Sequence, residues 1–424
     1  MDRQPMRQVV AASLSGAALE WYDFNLYGIS AGLIFGKLFF PTVAPIYGTL
    51  AALATFGAGF VLRPLGALFF GHFGDRLGRK RTLVATMLIT GLATFLVGVL
   101  PDFRTAGVWA PILLVTLRLA QGFGLGGESA GATLLTVEHA PEARRGFWGS
   151  LPQTGASIGY LIALGMTSLF TALPQEQFLT WGWRIPFLFS VILLVAGLVV
   201  RLKIQETRDF RRVATKAKLP LVTALRKHPK ELLVAFGARV GEAGSSQIYQ
   251  PFAISYLTTT LGYGPSVALV GVLLYNVIGL VLIPVAGALS DRLGRKPIYL
   301  TGAAIVALSG FPYFWLLDSG SVPLIWLATS LAAVGGAVCM SGLQGTLFTE
   351  MFSVEVRYSS LGIATQMSAL VAGFVPAVTT SFLVGTGGAS WPAALVLVVL
   401  GLVSLGSSFA LSGRKAQQKA LVTL

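Results

Sequence analysis

Two carboxylates, Glu20 and Asp23, lie inside the first long apolar run of the chain, in the stretch GAALEWYDFNLYG. An acid near the centre of a lipid bilayer costs about 2.5–3.5 kcal/mol or more, so such a residue is by default a candidate functional group. Both belong to a row of residues spaced 3, 4, 3 and 4 positions apart, which is one face of a helix: Ser13, Gly16, Glu20, Asp23 and Tyr27. Burial disfavours the charged form of a carboxylate and a nearby guanidinium favours it. Acids on this face can therefore take up and release protons as a cavity closes and opens.

Two later apolar segments carry a polar face of the same kind, each with one arginine and one glutamate. Their members are Arg118, Gln121, Leu125 and Glu128 in one segment and Arg239, Glu242, Ser246 and Tyr249 in the other. A guanidinium can bind a carboxylate through two parallel hydrogen bonds, so Arg118 is the predicted substrate anchor and Arg239 the second choice. Glu128 joins the two acids of the first segment as a proton-coupling candidate. Two structural alternatives remain open: Arg118 could pair permanently with an acid, and Arg239 could be neutralised by Glu242.

Other polar side chains in the apolar segments complete the predicted substrate site. Their amide or hydroxyl groups belong to Tyr27, Gln121, Gln153, Tyr249, Asn276 and Gln344. Each of them, taken singly, fits a hydrogen bond between helices better than a contact with a ligand. Arg63 is followed by Pro64, and we interpret this pair as a kinked helix end near the cytoplasm.

The composition is that of a polytopic membrane protein. Hydrophobic residues make up 54% of the 424 residues and charged residues only 11%, against about 25% in soluble domains. The 50 glycines agree with this class, because helices in lipid pack closely through small residues. The single cysteine, Cys339, excludes an intramolecular disulfide and a cysteine-based metal site. We expect no cleavable signal peptide, since the first apolar run is long and holds two acids.

Twelve apolar segments reach the length of about 20 residues that a membrane-spanning helix needs. They lie near residues 10–36, 47–72, 82–100, 108–138, 148–172, 184–204, 232–259, 266–289, 298–317, 323–349, 358–384 and 390–411. The predicted fold class is therefore an all-α membrane protein with twelve transmembrane helices.

The basic residues predict the orientation of these segments. With both termini in the cytoplasm, 25 of the 31 lysines and arginines fall in the tails and the even-numbered connections. The others are Lys37 and Arg104 in outer connections, and Arg63, Arg118, Arg184 and Arg239 within or at the edge of segments. Cytoplasmic loops carry such an excess of positive charge, so we expect both termini to be cytoplasmic.

A basic segment, residues 201–230, divides the first six apolar segments from the last six. It holds ten lysines and arginines against Glu206 and Asp209, and we interpret it as a solvated cytoplasmic linker. Because topology accounts for the net charge of +14, we expect no nucleic-acid partner. The predicted domains are a six-helix bundle at 1–204, the basic linker at 205–231 and a second six-helix bundle at 232–424.

Two motifs recur in the same order in both halves and predict that the halves are related by pseudo-symmetry. The stretch GHFGDRLGRK at 71–80 returns as GALSDRLGRK at 287–296, and a Glu–Arg pair seven residues apart follows both the fourth and the tenth segment. We expect these loops to hold the cytoplasmic side shut, through ion pairs and helix N-terminal amides, while the cavity faces outward. Exposed pairs contribute only about 0–1 kcal/mol each, which suits contacts that must break in every cycle. The predicted gating residues are Asp75, Arg76, Arg79, Glu138, Arg145, Asp291, Arg292, Arg295, Glu350 and Arg357.

The repeated G-x-x-x-D-R-x-G-R-K signature in a twelve-segment chain resembles the major facilitator superfamily. Further stretches resemble the metabolite:H+ symporter family: EWYDFNLYG in the first segment, RPLG at 63–66, RLAQGFGLGGE at 118–128, GWRIPFLFS at 182–190 and RYS at 357–359 after Glu350. The resemblance implies two pseudo-symmetric six-helix bundles whose segments 1, 4, 7 and 10 line a central cavity. Substrate and coupling ion are then expected near the middle of the membrane, between the halves.

The resemblance also implies a function, namely secondary active transport by alternating access. The expected activity is proton-coupled import of a small organic acid, shikimate-like or another carboxylate; the alternative is import of a zwitterionic compatible solute such as proline or betaine. We expect neither an ATP-driven pump nor a zinc enzyme, because G-x-x-x-x-G-K-[ST] and H-E-x-x-H are both absent from the sequence. The remaining expectations are no metal, no cofactor besides the proton as coupling ion, a functional monomer, and a place in the lipid bilayer of a bacterial inner membrane.

Overall fold

The chain forms a bundle of membrane-length helices in a computed structural model, which describes residues 6–77, 79–126, 136–137, 140–203, 226, 228–352 and 357–410. The first half contains α1 (Met6–Ser30, then the π-helical Ala31–Phe35 and Gly36–Phe39), α2 (Pro45–Val61 and Arg63–Leu77), α3 (Arg79–Val99), α4 (Trp109–Gly126), α5 (Arg145–Thr171) and α6 (Arg184–Lys203). The second half contains α7 (Pro229–Gln247, the π-helical Ile248–Phe252, Ala253–Ser255 and the π-helical Tyr256–Thr260), α8 (Pro265–Leu293), α9 (Arg295–Leu317), α10 (Val322–Ala333, the π-helical Val334–Ser341 and Gly342–Met351), α11 (Arg357–Gly385) and α12 (Trp391–Phe409). Short helical turns at Phe103–Ala106, Glu142–Arg144, Gln175–Gln177 and Phe178–Gly182 belong to the connections.

The twelve predicted segments correspond to these twelve helices. Within the described residues, nine helices are long and apolar enough to cross a membrane, and Val84–Val99 in α3 is a shorter apolar helix. The remaining two, α1 and α7, carry the intramembrane acids and, like α10, are interrupted by π-helical stretches. Such stretches are frequent at functional sites. Those of α1 and α7 begin 217 positions apart, at Ala31 and Ile248, close to the 216-residue spacing of the repeated loop motif.

Successive helices run in opposite directions, so the connections fall on two sides of the molecule. On one side, Asp318 after α9 accepts hydrogen bonds from Tyr256 near the end of α7 (2.5 Å) and from Ser390 just before α12 (2.6 Å). We call this the outer side. The other is the basic side, where α1 begins and where α8 turns into α9. Gly294 makes that turn with φ of +92°, a conformation open to glycine, so that α9 starts at the next residue.

Helix α5 joins the two halves. In the first half it packs on α1, where a Cβ at Gly155 would lie 2.8 Å from the Leu14 carbonyl oxygen. In the second half it packs on α8, where a Cβ at Gly287 would lie 2.7 Å from the Gly146 carbonyl oxygen. Helices α2 and α11 form the other large contact between the halves. Glycines allow these close approaches because a backbone without a side chain can reach its neighbour. Most of the predicted linker lies outside the described residues, and the domain boundaries stay a prediction.

Candidate functional site

A cavity lies between the two halves. It has a volume of about 250 Å³, and its lining comes from α1, α2 and α5 on one side and from α7, α8, α10 and α11 on the other. Among the expected helices, α1, α7 and α10 line it, whereas none of the described residues of α4 does. The lining runs from Gly28 and Pro251, in the middle of α1 and α7, to Ser13 and Leu361, near the basic side.

Contacts between the halves separate this cavity from the outer side. The π-helical stretches of α1 and α7 meet there, since a Cβ at Gly32 would lie 3.0 Å from the Pro251 carbonyl oxygen. Closer to the outer side, the hydroxyls of Thr49 and Thr259 are 3.5 Å apart. A Cβ at Gly57 would lie 2.8 Å from the Phe374 ring, so α2 and α11 leave no gap. These contacts close the cavity on the outer side.

The first half contributes one acid and one guanidinium to the cavity lining, Glu20 from α1 and Arg63 from α2. Pro64 has no amide hydrogen, and α2 is interrupted at Leu62, so Arg63 starts a new helical segment. Its side chain is 8% exposed, and its Cζ lies 4.5 Å from the Phe24 ring centre and 4.6 Å from that of Phe60. The Arg63 Nε makes no hydrogen bond within the described part of the chain.

The second half contributes the ion pair of Arg239 and Glu242 from α7. The Arg239 Nη1 lies 3.6 Å from the Glu242 Oε2, one helical turn away, and both residues line the cavity. Glu242 is only 5% exposed, so its charge is compensated mainly by this partner. The Arg239 Nε makes no hydrogen bond to any residue that the structure describes.

Amide groups connect the helices around the cavity. Asn276 Nδ2 on α8 donates to Gln250 Oε1 on α7 at 2.9 Å and to its own helix at Val272. Gln344 Nε2 on α10 donates to Gln153 Oε1 on α5 at 3.4 Å, which is a link between the two halves. All of these side chains line the cavity except Val272. These hydrogen bonds position the amide groups at the cavity wall.

Arg118, the predicted anchor, lies behind the cavity wall. It is 1% exposed, and its Cζ lies within 4.4 to 4.8 Å of the ring centres of Phe24, Tyr27 and Phe56. Its Nε donates to the Phe56 carbonyl oxygen at 3.3 Å and its Nη1 donates to Gln121 Oε1, whereas Nη2 has no hydrogen-bond partner among the described residues. This guanidinium fills the junction of α1, α2 and α4.

Gln121 and Asp23 belong to the same junction. Gln121 Nε2 donates to the Thr94 hydroxyl at 2.8 Å and to the backbone carbonyl oxygen of Asp23 at 3.2 Å. The face of α4 that carries these residues packs directly on α2, where Gly122 contacts the backbone of Gly59. No space for a ligand remains between two backbones in such contact.

The predicted site residues thus divide into two groups. Those that line the cavity are Glu20, Gln153, Arg239, Glu242, Asn276 and Gln344. Those that lie outside its lining are Asp23, Tyr27, Arg118, Gln121 and Tyr249. Both tyrosine hydroxyls bond within their own half, Tyr27 to Thr55 at 2.9 Å and Tyr249 to Ser309 at 3.2 Å.

Arg63 is the charged lining residue that the sequence reasoning missed. Its signal was present, because an arginine inside an apolar segment is costly and is by default a functional candidate. The neighbouring proline led instead to the interpretation of a kinked helix end. The helix is interrupted at Leu62, directly before this arginine, and the arginine lines the cavity.

On the basic side, Asp291 joins the two halves. Its carboxylate accepts hydrogen bonds from the backbone amides of Gly146 (2.7 Å) and Phe147 (3.0 Å), at the N-terminus of α5. Arg295 donates to the same carboxylate at 2.9 Å, and its Nε lies 3.5 Å from the Glu350 Oε1. We call the Asp291 carboxylate, Arg295, Glu350 and the first turn of α5 the latch. An acid at a helix N-terminus is favourable because the helix dipole and free amides both attract negative charge.

The other gating predictions are only partly covered. Arg145 lies 3.5 Å from Glu142, an exposed pair three residues apart, and Arg292 is exposed. Glu128, Glu138 and the side chains of Asp75, Arg76, Arg79 and Arg357 lie outside the part of the chain that the structure describes. Their roles stay predictions.

A twelve-helix membrane protein with a polar cavity between two similar halves is, as a class, a membrane transporter. Comparison with protein families identifies the family of transporters. The Major Facilitator Superfamily matches residues 16–376, with a second match at residues 232–421. The chain belongs to this superfamily. The resemblance and the fold class inferred from the motifs are both confirmed, and the family is one of transporters rather than of enzymes.

Two relatives show the range of substrates among similar proteins. The chain is 42% identical to the shikimate transporter of Escherichia coli K12 over 405 residues, which cover 93% of this chain and 92% of that protein. It is 34% identical to the proline/betaine transporter of Salmonella typhimurium LT2 over 420 residues, which cover 95% of this chain and 83% of that protein.

Solved structures agree on the fold. The proton:xylose symporter XylE bound to 6-bromo-6-deoxy-D-glucose matches with a TM-score of 0.74 at 17% identity, over 95% of this chain and 94% of that one. The inward open conformation of XylE from E. coli matches with a TM-score of 0.70 at 18% identity, over 96% of this chain and 95% of that one.

Proposed function

We propose that this transporter imports a small organic acid together with a proton across a bacterial inner membrane, with its basic side and both termini in the cytoplasm. The observation that carries this proposal is the charge set of the cavity. Arg63 and Arg239 offer guanidinium groups to a carboxylate, and Glu20 and Glu242 offer carboxylates to a proton. We call these four residues the cavity set. The 42% identity to a shikimate transporter supports an acid as substrate.

Charge balance supplies the coupling. With all four residues of the cavity set ionised, their charges cancel; with Glu20 protonated, they sum to one positive charge, which a monoanion neutralises. The substrate anion therefore binds best to the protonated cavity and leaves when the proton leaves. We assign the transported proton to Glu20, the acid that the first half contributes to the cavity lining together with Arg63.

Alternating access then requires the two sides to open in turn. The contacts of α1 with α7 and of α2 with α11 must separate for the cavity to reach the outer side. On the basic side, the latch and the approach of α7, α10 and α11 to the first half close the exit. Contacts made by small residues and a few polar groups suit this exchange, because neither set is strong enough to be permanent.

The energetics give a direct test in proteoliposomes. One proton entering with a monoanion moves no net charge, so only the pH gradient drives uptake, by about 1.4 kcal/mol per pH unit. A zwitterion entering with a proton gains in addition about 2.3 kcal/mol per 100 mV of membrane potential. We expect uptake of radiolabelled shikimate to follow an imposed pH gradient and to ignore a potassium diffusion potential at equal pH. Uptake driven by the potential alone would contradict electroneutral symport.

A second candidate function is the import of a zwitterionic solute such as proline or betaine. The favouring observation is that Trp21, Tyr160 and Tyr275 line the same cavity as Glu20 and Glu242, and aromatic faces with acids bind ammonium groups. The 34% identity to a proline/betaine transporter supports this reading. Potential-driven uptake of glycine betaine at equal pH is the result that would favour it over the organic acid.

A further inference from the structure

Arg63 and Arg239 are the two guanidinium groups among the described residues of the cavity lining, and they come from opposite halves. Arg63 belongs to α2 and Arg239 to α7, so no helix fixes the distance between them. Their charges act on each other, and Glu20 acts on Arg63 with the opposite sign. An anion placed between two like charges is attracted to both, so this pair favours an anionic ligand when the boundary closes.

Each guanidinium has unused hydrogen-bonding capacity. Arg63 is held by the rings of Phe24 and Phe60, and its Nε has no hydrogen-bond partner among the described residues. Arg239 contacts Glu242 through one terminal nitrogen, and its Nε is likewise without a partner there. Both residues line the cavity, so an anion there can accept hydrogen bonds from guanidinium nitrogens that the described residues do not fully satisfy.

We propose that Arg63 and Arg239 form a single anion site shared by the two halves, in which the substrate carboxylate bridges the two guanidinium groups. This inference rests on the proposed function, which makes the substrate a carboxylate. It assigns the anchor role to Arg63 instead of Arg118, which lies outside the cavity lining and donates to Phe56 and Gln121 behind the wall. Arg63 and Arg239 thereby act as binding residues, one from each half.

The bridge also couples binding to movement. Without a ligand, closing the boundary between the halves brings the two guanidinium groups together, and their mutual repulsion opposes that approach. A bound carboxylate replaces the repulsion by attraction to both halves, so the halves approach and the substrate becomes enclosed. The ligand can shift the equilibrium because it contacts both arginines only when the halves are close.

Binding measurements on the purified full-length protein in detergent test the shared site. The probes are shikimate, its methyl ester, and a panel of small mono- and dicarboxylates; the variants are Arg63→Gln, Arg239→Gln and the double variant. We expect each single variant to bind the acid about tenfold or more weakly, because a hydrogen bond to a charged group contributes about 1.5–3 kcal/mol. The methyl ester, which has no charge to bridge, should bind equally weakly to all forms. Arg104→Gln, an exposed arginine near the outer side, is the matched control and should match the unaltered chain.

The double variant separates one site from two. If one carboxylate bridges both arginines, the second substitution adds little to the loss of affinity caused by the first. If the arginines instead contact different groups of the substrate independently, the two losses multiply. Acid affinity that is unchanged in Arg63→Gln, or reduced as much for the ester as for the acid, would overturn the shared site. Multiplying losses would overturn it too, and so would the absence of saturable binding of any acid in the panel.

A labelling experiment tests the closing movement. In a Cys339→Ser background, Leu361→Cys places a single thiol in the cavity lining near the basic side. Shikimate should slow maleimide labelling of this thiol, and Arg63→Gln should abolish the protection at ligand concentrations that still saturate the variant. Equal protection in both forms would contradict bridging.

Failure of this inference and failure of the proposed function give different results. If an acid is taken up with protons but binds equally well without Arg63, the proposed symport stands and the shared anion site is wrong. Arg63-dependent binding of an acid, with no uptake driven by a pH gradient, would leave the anion site and remove proton-coupled import.

Discussion

Two groups of polar residues lie on either side of the same wall of helices α1 and α2. The cavity set faces the space between the halves, and the buried set, which we define as Asp23, Arg118 and Gln121, lies between α1, α2 and α4. Both contain acids and arginines inside apolar segments. They differ in access: Arg63 and Arg239 line the cavity, whereas Arg118 lies behind the wall and donates to Phe56 and Gln121.

This difference shows how a charged residue inside a membrane-spanning helix is to be interpreted. A buried arginine surrounded by rings and directed at protein acceptors stabilises one arrangement of helices. An arginine with free donors at a cavity wall gains its partner only when a ligand arrives. The cost of a charge in the membrane is similar in both places, so cost alone does not separate structure from function.

The largest effect is expected from Glu20, the proposed proton carrier of the cavity set. Glu20→Gln mimics the protonated side chain permanently, so substrate can still exchange across the membrane, but no proton is released to pull it inward. We expect proton-driven accumulation to be lost and counterflow to remain. Uptake and counterflow in proteoliposomes measure the two activities separately.

Asp23→Asn is the matched variant on the other side of the wall. Because Asp23 does not line the cavity, accumulation should persist in this variant, at a lower level if the junction is loosened. The reverse result, with accumulation lost in Asp23→Asn and kept in Glu20→Gln, would place proton coupling in the buried set.

A steric change should disturb the buried set through the backbone. A Cβ at Gly122 would collide with the backbone of Gly59, so Gly122→Ala must push α2 and α4 apart. We expect a loss of about 1–3 kcal/mol in the free energy of unfolding, seen as a lower melting temperature in detergent. Gly165→Ala on α5 is the control, because nothing lies within 4 Å of its Cβ position and alanine favours a helix there. Equal melting temperatures for the two variants would contradict the close packing.

Arg118→Lys distinguishes a structural arginine from a substrate anchor. Lysine cannot keep the planar stacking or both donors, so the melting temperature should fall. The affinity for shikimate should stay within about twofold of the unaltered chain, whereas Arg63→Lys should reduce it by about tenfold. If Arg118→Lys instead loses affinity for shikimate and keeps its melting temperature, Arg118 on α4 is the substrate anchor.

The topology could be predicted from the sequence because it depends on the average hydropathy of long segments. A span needs about 20 apolar residues, and the twelve segments contain them even where Glu20 or Arg239 interrupts the run. The repeat of Asp291 with Asp75 gave the pseudo-symmetry of the halves. Those signals survive errors of several residues at any boundary.

The site was only partly predictable. Helical spacing shows which residues share one face of a helix, but it does not show what that face packs against. The rows through Glu20 and through Arg118 have the same spacing, yet one faces the cavity and the other faces α2. The deciding features are three-dimensional: the contact of Gly122 with Gly59 closes the space beside α4, and Arg63 lies on the cavity side of α2. Neither the partner of a glycine nor the direction of a kink can be derived from one sequence.

The smallest effect is expected in the latch, which lies away from both sets. Asp291→Asn removes the charge that the α5 N-terminus and Arg295 attract, and it keeps one acceptor oxygen for the backbone amides. We expect a shift of about 1 kcal/mol, or roughly fivefold, toward forms open on the basic side. Distances between spin labels on the basic ends of α5 and α9 would measure the populations.

Glu142→Gln is the control for this last comparison. It also removes an acid near the N-terminus of α5, but its pair with Arg145 is exposed, with 77% of the Glu142 side chain accessible, and exposed pairs contribute little. Populations that change equally in Glu142→Gln and Asp291→Asn would mean that general negative charge on the basic side sets the equilibrium. A change confined to Asp291→Asn would show that the hydrogen bonds between the halves set the equilibrium. Of these two carboxylates, Asp291 is the one that accepts hydrogen bonds from the other half.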